Sequence, residues 1–153
     1  IAKELDPLND GVYHYISVSY YALGNKEKSL EYAKKLIELL PELSNTYLEV
    51  GTIYFNLKKY DEAIPYMMKS IQMNNDQVFK EDAYVILGIA LYKTKNYAES
   101  KENLVKFLSM VEGNPKLEKD FESHIKNAKI ALNEMELNSV PVAPRKKKER
   151  NTR

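Results

Sequence analysis

S-N-T-Y-L-E-V-G-T-I-Y-F-N-L-K-K-Y-D-E-A-I-P-Y-M-M-K-S-I-Q-M-N-N, residues 44–75, holds two helical patterns in succession. Tyr47, Val50, Gly51 and Tyr54 fall at helical spacing, and Leu57-Lys58-Lys59 interrupts them. The spacing then resumes through Tyr60, Ala63, Ile64, Met67, Ser70 and Ile71. Two short amphipathic helices joined by a tight turn predict a helical hairpin. Gly51 and Ala63 lie 12 residues apart, one on each helix. A small residue on each side predicts a close approach of the pair, and a larger side chain at Gly51 would overpack it at a cost of about 1–3 kcal/mol. Shifting the frame back by 34 places Ser17 and Ser29 at these positions, and shifting it forward by 37 places Gly88 and Ser100 there. The same small pair recurring three times predicts a tandem repeat, because an ordinary helical bundle has no reason to repeat in this way.

These residues resemble a tetratricopeptide repeat, with its aromatic–x–x–Leu–Gly–x–x–Tyr core followed by alanine, a large apolar residue, alanine and proline. Tyr47, Val50, Gly51, Tyr54, Tyr60, Ala63 and Met67 sit at signature positions, while Ser70 replaces the second alanine and Asn75 the proline. The resemblance implies an all-α fold, a right-handed α-α superhelix of antiparallel hairpins. It also implies a non-enzymatic scaffold for protein–protein interaction.

The same pattern extends on both sides. A repeat is expected over about 10–43, with Tyr13, Ile16, Ser17 and Tyr20 on its first helix and Leu30, Ala33, Leu36, Ile37 and Leu40 on its second. Gly24-Asn25 supplies the turn and a helix cap, and the second helix should stop before Pro41. The quoted repeat fills 44–77, with Pro65 expected to bend its second helix mildly. A third repeat is expected over 81–111, where Tyr84, Leu87, Gly88, Leu91, Tyr97, Ser100, Leu104 and Phe107 hold the register. Asn96 and Glu99 are spaced as a capping box. The three additional residues before it lie in Asn74–Lys80, as a longer loop or an early helix start near Asp76. Gly113 and Pro115 then separate the repeats from one long amphipathic helix over 115–137, with Leu117, Phe121, Ile125, Ala128, Leu132 and Met135 on one face. It resembles the terminal capping helix of repeat arrays. Residues 1–9 keep the register of an earlier repeat through Leu5 and Pro7, so I-A-K-E-L-D is expected to be the remnant of one, the alternative being a natural start with a short helical lead-in.

Residues 138–153 change character, with two prolines and no apolar periodicity, and predict a flexible basic tail. Arg145, Lys146, Lys147, Lys148, Arg150 and Arg153 against Glu149 make this segment +5, so with the whole chain at +1 the remainder is −4. No apolar run is long enough to span a membrane. The 153 residues include no cysteine, so no disulfide or thiolate metal site is available. Two histidines, His14 and His124, have no His or Cys at metal-ligand spacing, and no phosphate-binding or nucleophile loop occurs. The sequence therefore predicts no catalytic residue, no cofactor and no metal.

By the same resemblance, the first helix of each hairpin lines a concave face. Repeat one offers His14, Tyr15, Val18 and Tyr21. Repeat two offers Asn45, Leu48, Glu49, Thr52 and Phe55, and repeat three offers Asp82, Val85, Ile86, Ile89 and Tyr92. Many are apolar, and a contiguous apolar strip marks an interaction site. Family members that clamp a chaperone's C-terminal carboxylate use lysine, asparagine and arginine here. This chain has His14, Val18, Glu49, Asp82 and Ile86 instead, so the expected partner is an apolar or helical protein segment. Three other readings stand beside it. The C-terminal helix could fill the strip, the array could associate with itself through stacked ends, or the basic tail could bind nucleic acid or an anionic surface in a salt-dependent way.

Overall fold

The computed structural model describes residues 7–73 and 80–139, and among them the chain forms eight helices and no strand. Three antiparallel hairpins follow one another. The first is α1 (Pro7–Ala22) with α2 (Lys26–Leu39), the second α3 (Ser44–Asn56) with α4 (Tyr60–Met73), and the third α5 (Lys80–Lys93) with α6 (Tyr97–Val111). Each packs on its neighbour, α2 on α3 and α4 on α5, and a final pair, α7 (Pro115–Asp120) and α8 (Glu122–Ser139), closes the stack against α5 and α6. This is the all-α solenoid expected from the repeats. The first helix starts at Pro7 rather than near Asp10. The expectations for residues 1–6, for the join at 74–79 and for 140–153 lie outside the described residues.

The three hairpin turns share one geometry. Gly24, Lys58 and Lys95 adopt φ of 78°, 60° and 65°. The following residues close the turn with long backbone bonds, Asn25 N–H to Tyr20 O (2.9 Å), Lys59 N–H to Tyr54 O (3.0 Å) and Asn96 N–H to Leu91 O (2.8 Å). This is the left-handed helix stop that gives terminal carbonyls new partners, and only the first repeat gives it a glycine. Asn25 caps α2 as expected, its side chain accepting from Lys28 N–H at 3.1 Å. Asn96 does not form the expected capping box: its side-chain amide instead donates to Thr94 Oγ1 at 3.0 Å.

The small residues act as expected in kind but not in detail. Ser17 Oγ lies 3.3 Å from Ser29 Oγ, and Ser100 Oγ donates to Gly88 O at 2.8 Å, so these pairs do hold the hairpins together. The side chain that fills the space of Gly51, however, is Met67 rather than Ala63. A β-carbon on Gly51 would lie 2.7 Å from Met67 Cε, and one on Gly88 would lie 2.5 Å from Leu104 Cδ2. Met67 and Leu104 are wholly buried. In the first repeat the matching residues are Ser17 and Ala33, both buried: where the first helix carries a side chain, the second carries a smaller one.

The C-terminal segment is two helices rather than one, because Phe121 leaves helical conformation with ψ of 16° and puts its ring edge-on to Phe107 at 5.7 Å. Asn114 caps α7, accepting from Lys116 and Leu117 N–H, with Gly113 before it at φ of 84°. The helix α8 continues through Asn138 and Ser139, two residues past its expected end. It buries Ala128, Ala131 and Met135 against the third hairpin.

Candidate functional site

The first helices of the hairpins, α1, α3 and α5, present their concave sides to one cavity of about 410 Å³. Nine of the fourteen expected groove residues line it: His14, Val18 and Tyr21 from α1, Asn45, Leu48, Glu49 and Thr52 from α3, and Asp82 and Ile86 from α5. Helical spacing brings each set to one face, and the repeat register superposes the three faces. Val18 and Tyr21 remain open to solvent at 47% and 38%, whereas Leu48 and Ile86 are each 8% exposed and form the apolar floor.

The remaining five residues lie elsewhere. Tyr15 projects outward on α1, 73% exposed and outside the cavity. Phe55 is packed between the two core clusters, with its ring 5.4 Å from that of Tyr60. Val85 is 1% exposed, a core residue and not part of an open strip: α5 packs on α4, α6 and α8, whereas α1 packs on α2. Ile89 and Tyr92 face a separate depression that they share with Asn127, Ile130, Ala131 and Glu134 of α8. The Tyr92 hydroxyl donates to the Glu134 carboxylate. The C-terminal helix thus meets the strip at Ile89 and Tyr92 of the third repeat and does not line the cavity that Asp82 and Ile86 enter.

The cavity has a polar centre. Ser17 Oγ, itself fully buried, donates to Glu49 Oε1 at 2.6 Å, and His14 Nδ1 lies 3.2 Å from Glu49 Oε2. These bonds hold the Glu49 side chain, 18% exposed, in one orientation at the junction of the first two repeats. A second link between them runs from Asn56 Nδ2 to the Tyr21 hydroxyl at 2.6 Å. On α5, burial pushes the Asp82 carboxyl above the usual carboxylate range, and nearby His124 on α8 offsets part of that rise. Neither Glu49 nor Asp82 has a lysine or arginine ion-pair partner among the described residues.

Ser29 and Ile53 also line the cavity and were not expected there. Nor was the role of Ser17, although a serine in a position suited to glycine was a legible sign that a hydroxyl is used. Among the described residues no group of three or more His, Asp or Glu is placed to hold a metal ion, and no helix is long and apolar enough to cross a membrane.

Comparison with known proteins agrees with the repeat fold. Family models described as tetratricopeptide repeat match residues 12–42 and 44–77. A protein described as STIP1 homolog from Dictyostelium discoideum is 32% identical over 117 residues, which is 75% of this chain but only 21% of that protein. The chain therefore spans about a fifth of the length of that relative. Among solved structures, the Yersinia enterocolitica type III secretion chaperone SycD in complex with a peptide of the translocator YopD superposes with a TM-score of 0.76. The identity is 16%, and the match covers 90% of this chain and all of the other. The first TPR of Spaghetti (RPAP3), bound to the HSP90 peptide SRMEEVD, superposes with a TM-score of 0.65 at 17% identity, covering 82% of this chain and 98% of that one.

Proposed function

Because the chain is a tetratricopeptide repeat protein of three hairpins and a C-terminal helical segment, we propose that it is a non-catalytic interaction module whose concave cavity takes an apolar segment of another protein. One observation carries the reading. The cavity between α1, α3 and α5 exposes Val18 and Tyr21 above an apolar floor, and α8, which lies beside Ile89 and Tyr92, does not line it. Apolar surface of this kind, concave and rimmed by polar groups, is what a docked segment desolvates. The neighbours of the same fold support a peptide partner in general terms, since SycD and the RPAP3 domain are each described with a bound peptide.

The test is a random-peptide phage library selected on the full chain, followed by calorimetry on the recovered peptides. Val18→Trp fills the cavity from an exposed position and should weaken binding about tenfold or more with helicity unchanged. Tyr21→Ala should act in the same direction. Peptides that bind both variants as tightly as the parent chain would place the interaction elsewhere.

Self-association has one observation of its own. Val12, Tyr15 and Leu23 of the first hairpin are 49%, 73% and 81% exposed. Light scattering that shows a monomer at high concentration would remove that second reading.

A further inference from the structure

We propose, resting on the groove reading above, that the bound segment carries a lysine or arginine among its apolar residues, and that this cationic side chain enters the cavity to pair with Glu49 and Asp82. The walls are apolar, but both ionisable groups that the second and third hairpins contribute are carboxylates. Glu49 is already oriented, by Ser17 Oγ at 2.6 Å and His14 Nδ1 at 3.2 Å. Each of its oxygens accepts one recorded bond and keeps capacity for another. A fixed acceptor loses little freedom when a donor arrives, which favours binding.

Asp82 supplies the second half of the argument. Partial burial disfavours its ionised form, and no lysine or arginine of the described chain compensates it. A partner cation would do so while its aliphatic stem lies along Val18, Leu48 and Ile86. The same two carboxylates oppose an acidic segment. The HSP90 peptide on the RPAP3 domain, SRMEEVD, contains two glutamates and an aspartate. A like-charged peptide placed against Glu49 and Asp82 would meet repulsion, so the cavity selects by rejection as well as by attraction.

Sequencing the peptides recovered from the library is the first readout. Recovered sequences should share a lysine or arginine flanked by apolar residues, and acidic sequences should be depleted. In calorimetry, replacing that residue by norleucine, or making Glu49→Gln or Asp82→Asn in the full chain, should each weaken binding about tenfold, and the loss should shrink as salt is raised. Glutamine keeps an acceptor for Ser17, and circular dichroism verifies the fold. Peptides that lose affinity with Val18→Trp yet show no basic residue and no response to Glu49→Gln and Asp82→Asn would overturn this inference and leave the groove reading standing. Peptides indifferent to Val18→Trp would overturn both. If a synthetic copy of residues 140–153 binds the groove more tightly than every selected peptide, the chain's own basic end is the occupant and the outside partner is overturned.

Discussion

At Gly88 the helices are packed more tightly than at Gly51. An added β-carbon there would meet Leu104 Cδ2 and Cγ at 2.5 and 2.7 Å and its backbone nitrogen at 3.3 Å. At Gly51 the nearest atom is the flexible end of Met67. Gly88→Ala should therefore cost about 1–3 kcal/mol in urea unfolding. In Gly51→Ala the helix gain of about 1 kcal/mol for alanine over glycine should offset most of the crowding. Ser17 with Ala33 shows how the first repeat solves the same problem, so adding Leu104→Ala to Gly88→Ala should cost less than the sum of the two changes. Equal losses for the two glycines would contradict this packing. The sequence showed which positions are small. It did not show which large side chain reaches into each, because that depends on the offset of two helices across a turn.

Asp82 makes the stability of the fold depend on pH. Its folded-state pKa is raised by burial, so the unfolded chain binds fewer protons and ionisation opposes folding. The penalty is absent below the ordinary aspartate range, grows as pH rises through the window up to the raised value, and is complete above it. Asp82→Asn should consequently raise the melting temperature at neutral pH, and thermal melts should show the gain shrinking as the pH falls through that window. A gain that does not change with pH would assign the effect to packing instead.

Among elements, the turns and the last helix make separate claims. Lys58 and Lys95 hold the left-handed conformation that Gly24 supplies in the first repeat. The conformation costs a non-glycine residue about 1–2 kcal/mol, and glycine loses part of that in unfolded-state entropy. Lys95→Gly should therefore stabilise the chain by about 0.5–1 kcal/mol in denaturant titration. The helix α8 approaches the third hairpin through Ala128 and Ala131, 0% and 3% exposed. Ala131→Leu should force it outward and cost about 1–3 kcal/mol, whereas Leu137→Ala, at a position 66% exposed, should change little. Periodicity marked the apolar face of this helix, but Ala131 lay outside the expected set. Nothing in the spacing told where a helix with no repeat partner would dock, and so Ile89 and Tyr92 were expected in one strip with the cavity residues, whereas they share a separate depression with α8, and Val85 is buried in the core.

For the whole molecule, three hairpins in one register turn nine separated residues into one cavity. That much was legible, because a repeat places equivalent residues on equivalent faces. The link of His14 and Ser17 to Glu49 was not, since it joins successive repeats and no signature within a single repeat records it. In the proposed function a partner segment lies between α1, α3 and α5. Amide hydrogen exchange on the full chain, with and without a library-selected peptide, tests it most directly. Binding should slow exchange in α1 and α3 and at the start of α5, and leave the outward sides of α2, α4 and α6 as they were. Protection confined to α2, α4 and α6, or to the residues after Ser139, would contradict the account.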